Sequence, residues 1–349
     1  MNQKNIIEKY KDKDKGMTGL TNLGNTCFLN SCIQILNHTF ELVDVLQLQS
    51  NKKNISEFSM IQEWNELREI MWSNDGVVSP NKFIFNVHKL AREKKRELFT
   101  GWAQNDMSEF LLFFIECIHT SISRGVRIKI SGKKKDTTDD LAIQCYSMLQ
   151  NIYSKEYSKI MELFYGIYVS QILSKDGKKI HSNKPEMYFI LDLPIPKNKE
   201  KNTIYDCFDL FTQSEYMENE NAWFNEKTGV KENIQKKMIF WNFPNVLVIT
   251  LKRFSGEGEN KNNQFVNFPL DMLNLTNYVK GYNPNQFIYE LYGVCNHYGS
   301  IMGGHYTSFV KNASGIWVHY NDSNTNIIEN IDQIVTDSAY CLFYRKKIM

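Results

Sequence analysis

The pattern of apolar residues changes near Phe164, and that change decides which architectures are open to the chain. Before it, apolar side chains recur at helical spacing. Leu29, Cys32, Ile33 and Leu36 stand at i, i+3, i+4 and i+7. Trp64, Leu67 and Met71 form a second stripe, and residues 105–119 are apolar almost all round, as in a buried central helix. After it come short aromatic and β-branched runs, among them YGIYVSQIL, MYFILDLPI, NVLVITLKRF, FIYELYGVCNHYG, HYTSFVKN and AYCLFYRK, which read as strands. Helices first and strands second predict an α+β architecture with segregated helices, not an alternating doubly wound sheet. Residues 1–16 are charged and aperiodic and read as a solvated lead-in. Residues 131–140 and 255–264, rich in charge, glycine or asparagine, read as loops.

Charge narrows the function classes. Lys and Arg number 41 against 39 Asp and Glu, so a net charge of +2 supports neither a nucleic-acid groove nor an anionic membrane surface. No apolar run approaches the roughly 18 residues of a membrane span, and MNQKNIIEKYKDKDKG lacks the apolar core of a signal peptide. An intracellular protein is expected, cytoplasmic or nuclear or both. The seven cysteines are scattered, with no CxxC pair, so neither a disulfide framework nor a four-cysteine zinc site is expected.

Cys27 lies in NLGNTCFLNS, where a loop runs into a helix, with Asn25 and Thr26 as candidate caps. The positive end of a helix favours thiolate over thiol. Burial as a small hydrophobe is nonetheless the commoner fate of a free cysteine, so position alone does not assign a nucleophile. A nucleophile needs a base. His305, after Gly303 and Gly304, opens an apparent strand and suits that role. His297, ending the strand before, is its rival and also reads as a hydrogen-bonded structural histidine. Asn321 or Asp322 in WVHYNDS could accept from the second imidazole nitrogen, although Asn-Asp-Ser is also an ordinary turn cap.

These segments resemble a known family. GLTNLGNTCFLNSCIQIL resembles the cysteine box of the ubiquitin-specific proteases, papain-like cysteine deubiquitinases. YELYGVCNHYGSIMGGHYTSFVKN with WVHYNDS resembles their histidine box. QNDMSEFLLFFIECIH, SKIMELFYG, FPNVLVITLKRF, FVNFPLDM and AYCLFYRK follow the family's order, so the resemblance runs from about Gly16 to Lys346. It implies a helical thumb over about residues 17–165 and β-rich fingers and palm over about 166–349. The implied activity is hydrolysis of the isopeptide or peptide bond after the C-terminal glycine of ubiquitin.

The resemblance also implies roles. Cys27 would be the nucleophile, His305 the base, Asn321 its orienting partner and Asp322 a neighbour sharing that task, while Asn22 would stabilise the oxyanion with the Cys27 backbone N–H. Ubiquitin ends in Leu-Arg-Leu-Arg-Gly-Gly, so its reader needs carboxylates and a narrow slot. Asp106 and Glu109, three apart on the expected helix, would meet the arginines, with Gln104 alongside. The bland reading of both acids is complementing a helix dipole. Gly303 and Gly304 belong to a loop that the family closes over the tail.

The chain departs from the family where many members carry two CxxC pairs for a structural zinc. Here VSQILSKDGKK and AWFNEKTGVKENI contain no cysteine, so no metal and no cofactor are expected. Asn105 and Met107 replace the usual Gln and Ala. The implied partners are ubiquitin and ubiquitinated proteins, met by a monomer. The competing classes are a catalytically silent ubiquitin-binding relative and a protease for another ubiquitin-like modifier.

Overall fold

The computed structural model describes residues 7–8, 10–11, 16–47, 56–73, 76–197, 200–254, 261–300 and 303–347. Most of the lead-in, residues 255–260 of the second loop and residues 301–302 lie outside them. Tyr10 departs from a solvated lead-in: it is buried, its ring stacked on Phe40 at 4.5 Å.

Before the strand-rich half, the described residues include the helices α1 (Cys27–Asn37), α2 (Phe40–Gln47), α3 (Phe58–Ser73), α4 (Asn81–Glu93), α5 (Met107–Ile122), α6 (Thr137–Tyr153) and α7 (Lys159–Phe164). A further helix, α8 (Ile204–Thr212), comes later. Aromatic packing holds them together. Phe114 of α5 meets Trp64 of α3 edge-on at 5.7 Å and Phe83 of α4 at 5.8 Å. The sequence spacing marks one apolar face of α1, and in the structure every residue of α1 is buried. Its polar side chains find partners on one side only: Gln34 donates to the Thr18 carbonyl at 2.8 Å and Asn37 accepts from the Trp72 indole at 2.7 Å, while Asn30 Oδ1, Gln34 Oε1 and Asn37 Nδ2 are buried with no partner among the described residues. The loop expected at 131–140 is shorter than predicted. Asp136 accepts from the backbone N–H groups of Thr138 and Asp139, and this cap starts α6 inside it.

The strands are β1 (Gly19–Leu20), β2 (Val77–Val78), β3 (Gly166–Ser174), β4 (Ile180–Tyr188), β5 (Ile190–Leu193), β6 (Lys201–Thr203), β7 (Glu215–Met217), β8 (Trp223–Asn225), β9 (Val230–Glu232), β10 (Ile234–Asn242), β11 (Val246–Leu251), β12 (Phe265–Asn267), β13 (Leu273–Asn274), β14 (Ile288–Ser300), β15 (Gly303–Lys311), β16 (Trp317–Asn321), β17 (Asn324–Ile327) and β18 (Ala339–Lys346). The central sheet runs β17-β16-β15-β14-β18-β11-β5, with β13 on β14. A second sheet, β4-β3-β10-β7, stands apart from it.

Alternation gives the central sheet two apolar faces. Tyr292, Cys295, Val310, Val318 and Phe343 join the helical core, whereas Leu291, Val294, Phe309, Leu342 and Tyr344 belong to a second core that includes Phe208 of α8. α1 lies against β14 and β15, which brings the cysteine and histidine segments together. A close approach completes the junction: a Cβ on Gly19 would sit 2.4 Å from the Ser323 carbonyl, so glycine lets β1 reach the β16–β17 turn.

Candidate active site

The turn into α1 is built by one carboxamide. Asn22 Oδ1 accepts from the backbone N–H groups of Gly24 (3.0 Å) and Thr26 (3.1 Å), across a bend with Gly24 at φ 104° and Asn25 at φ 56°. The caps expected from the sequence do not form as such. Thr26 holds the N-cap position but makes no side-chain cap bond, and its hydroxyl instead accepts from Leu23 N–H at 3.0 Å.

Cys27 opens α1 and is 4% exposed. Its sulfur lies against the backbone N–H of Tyr306, the residue after His305. Burial pushes the thiol up, and the Asp322 charge adds to this, while the Tyr306 and Phe28 N–H groups oppose it. The thiolate expected at a helix N-terminus is therefore not the resting form. A helix end contributes about 0.3–1 kcal/mol, and desolvating an anion outweighs that here.

His305 Nε2 meets Asn321 Oδ1 at 2.7 Å. An amide oxygen only accepts, so Nε2 carries the hydrogen and Nδ1 is left free to take a proton. Of the two acceptors open to the sequence, Asn321 holds the histidine. Asp322 turns away from it: its carboxylate accepts from Asn22 Nδ2 at 3.0 Å and from Asn30 Nδ2 at 2.8 Å. His297 is no hydrogen-bonded structural histidine. It is buried, its Nδ1 has no partner among the described residues, and burial pulls it down to about 4. Its ring walls the cleft beside Phe254 (5.2 Å) and Tyr306 (4.7 Å).

A cleft of about 310 Å³ separates the helices from the sheet, with Cys27, Phe28 and Tyr306 among its lining residues. Gln104 spans it: Oε1 accepts from Gly304 N–H at 3.1 Å, while Nε2 donates to the Gly304 carbonyl and to Asn25 Oδ1, each at 3.4 Å. Gly304 admits no side chain, because a Cβ would come within 2.3 Å of His297 Nε2. Gly303 lines the same cleft.

Asp106 and Glu109 are engaged differently. Asp106 is the N-cap of α5, with Oδ1 accepting from Ser108 and Glu109 N–H, and Oδ2 from the hydroxyls of Tyr306 (3.0 Å) and Tyr340 (2.8 Å). Glu109 is exposed and has no side-chain partner among the described residues. It lines a neighbouring cavity of about 260 Å³ together with Asp192 and Lys252. Asp192, on edge strand β5, accepts from Thr250 at 3.0 Å and faces Lys252 at 3.6 Å. Sequence reading missed Asp192, Tyr306, Tyr340 and Asn30; the only signal for Asp192 was an acid inside an otherwise apolar strand, MYFILDLPI. Arg253 braces the strand, donating to the carbonyls of Ala339 (2.6 Å), Asn262 (2.8 Å) and Gln264 (2.9 Å).

Among the described residues no group of three or more His, Cys, Asp or Glu could hold a metal ion, and no helix is long and apolar enough to cross a membrane.

The chain is similar to known proteins along nearly its whole length. The family model described as Ubiquitin carboxyl-terminal hydrolase matches residues 18–344. Ubiquitin carboxyl-terminal hydrolase 2 of Bos taurus is 32% identical over 342 residues, covering 95% of this chain and 55% of that protein. Ubiquitin carboxyl-terminal hydrolase 21 of Homo sapiens is 32% identical over 360 residues, covering 95% and 61%. The chain thus spans little more than half the length of these relatives. Among solved structures, the SAGA DUB module of Ubp8, Sgf11, Sus1 and Sgf73 bound to monoubiquitin shares the fold at a TM-score of 0.72 and 24% identity, covering 99% of this chain and 75% of that one. The Ubp8-Sgf11-Sgf73-Sus1 SAGA DUB module matches at 0.69 and 25%, covering 97% and 69%. A helical lobe carrying the cysteine, a sheet carrying the histidine and asparagine, and a family match across nearly the whole length lead to one assignment: this chain belongs to the ubiquitin carboxyl-terminal hydrolase family.

Proposed function

We propose that the chain is a cysteine protease that hydrolyses the isopeptide or peptide bond after the C-terminal glycine of ubiquitin. The observation that carries this reading is the meeting of Cys27 with the Tyr306 backbone, next to a histidine whose Nε2 is held by Asn321. In this reading residues 17–165 form the thumb and residues 166–349 the fingers and palm.

The thiol starts protonated, so attack requires transfer of its proton to His305 Nδ1 as the sulfur bonds to the glycine carbonyl carbon. The Asn22 carboxamide has two N–H groups and spends one on Asp322. The second, with the Cys27 N–H, is available to the oxyanion. Collapse of the tetrahedral intermediate breaks the C–N bond, and the imidazolium returns the proton to the leaving lysine amine. Water then cleaves the thioester, with His305 again as base. The tail enters as an extended strand past Gly303, Gly304 and Gln104, whose backbone and carboxamide groups suit a peptide without side chains. Asp106 is already engaged by a helix cap and two tyrosines, so the tail arginines fall to Glu109, with Asp192 on the opposite wall. The substrates are ubiquitin conjugates, and the protein is assigned an intracellular setting, cytoplasmic or nuclear or both, where it acts as a monomer.

A ubiquitin probe with a C-terminal electrophile tests the reading. Covalent labelling at Cys27, absent in Cys27→Ala, is expected. An intact protein left unlabelled by it would be a silent binder, and preferential labelling by probes of other ubiquitin-like modifiers would reassign the substrate.

A further inference from the structure

Asn30 lies on α1 near Cys27, is 2% exposed, and plays no part in the chemistry above. Its Nδ2 donates to Asp322 Oδ1 at 2.8 Å, with longer contacts of 3.4 Å to the carbonyls of Leu20 and Thr21. The other Asp322 oxygen accepts from Asn22 Nδ2 at 3.0 Å, and the Asp322 carbonyl accepts from Leu20 N–H at 2.8 Å. A carboxylate from the tip of the β16–β17 hairpin, at φ 50°, is thus gripped by two carboxamides from the helical lobe.

This arrangement solves a problem that the Asn22 amide poses. A primary carboxamide can rotate by half a turn, exchanging its oxygen for its NH₂. In the observed orientation the oxygen faces two N–H donors and the nitrogen faces an anion. The reverse would set oxygen against carboxylate and NH₂ against two amides. The preference is only as firm as the placement of Asp322, whose carboxylate could otherwise rotate or turn to solvent. Asn30 supplies its second donor from a helix buried on all sides, the same helix that carries Cys27.

We propose that Asn30 is a positioning residue of the hydrolysis: through Asp322 it holds the Asn22 carboxamide with its free N–H toward the developing oxyanion. The inference rests on the hydrolase reading. It assigns to Asp322 the orienting of the oxyanion amide, not of the histidine.

The test is a double-mutant cycle on the full chain with a fluorogenic ubiquitin C-terminal amide, using Asn22→Ala, Asn30→Ala and both together. Loss of one direct oxyanion donor costs about 10²–10³-fold in kcat. Acting through another residue, Asn30→Ala is expected to lower kcat by roughly 10- to 100-fold with KM almost unchanged, and to add little once Asn22 is already alanine. Alkylation of Cys27 by iodoacetamide, which forms no oxyanion, keeps at least its wild-type rate, because a displaced Asp322 carboxylate opposes the thiolate less. If Asn30→Ala does not fold, Asn30→Ser, which retains a donor of shorter reach, takes its place in the same cycle. The inference is overturned if the two losses multiply, or if alkylation falls in step with kcat, since Asn30 would then be shaping the helix or the thiol. Failure of the wild type to turn over the substrate would instead sink the hydrolase reading.

Discussion

At the scale of single residues, Cys27 is governed by competition between a helix terminus and desolvation. The helix start was legible in the sequence, because small and polar residues precede an apolar stripe. The resting protonation state was not, since it depends on a buried environment supplied by β15 and on Asp322, some three hundred residues away in the chain. Burial raises the thiol above its ordinary value, so the thiolate fraction at neutral pH falls and grows only as pH climbs past that value. Iodoacetamide alkylation of the ligand-free protein, followed by peptide mass, should therefore show a midpoint above that of a free cysteine. A midpoint below it would mean that the helix end wins. The acids divide in the same local way. Asp106 was legible as an acid at a helix start, but its capture by Tyr306 and Tyr340 depends on strands far along the chain. Glu109→Gln combined with Asp192→Asn is expected to raise KM for the ubiquitin substrate by about 5- to 50-fold, since hydrogen bonds to charged groups contribute about 1.5–3 kcal/mol each and exposed ones less. The kcat should hold, and the difference should shrink in high salt.

At the scale of elements, helical and strand periods were readable wherever one face met the core. α1 shows the limit. Its stripe predicted a helix, but nothing in the spacing of Asn30, Gln34 and Asn37 showed that the polar side would be buried as well, because their partners come from β1, its approach and α3. The β14–β15 hairpin was legible as two strands, and the role of Gly304 was not: the constraint there is the ring of His297 on the paired strand. Gly304→Ala would force a Cβ to within 2.4 Å of the Tyr298 carbonyl, and backbone cannot yield as a flexible side chain does. Thermal denaturation should show a lowered midpoint, and probe labelling of Cys27 should fall by more than about tenfold, as a misplacement of about 1 Å costs far more than that in rate. Normal labelling would show that the hairpin shifts without cost.

At the scale of the whole molecule, the helical lobe is fastened to the central sheet by a buried ion pair. Arg345 of β18 donates through Nε to Glu41 Oε1 at 2.5 Å, and through Nη2 to Glu41 Oε2 at 3.1 Å and the His38 carbonyl at 3.0 Å. Its guanidinium lies 4.3 Å from the Tyr292 ring centroid and 5.3 Å from that of Phe40. Removing one partner strands the other charge, so Glu41→Ala should destabilise the protein by about 3–5 kcal/mol in urea unfolding. A smaller loss would mean that water reaches Arg345. The order of helices and strands was plain in the chain, and so was the α+β class. Which two distant segments would meet was legible only through a resemblance, because no local pattern encodes a contact between residue 27 and residue 306.

The Gln104 carboxamide already occupies Gly304 as a neighbouring strand would, offering one acceptor and one donor. The doorway is therefore filled by an imitation of its guest. A peptide entering there would displace these two bonds and return them in the same order, so the cleft at rest suits an extended main chain better than shapes that merely fit the space.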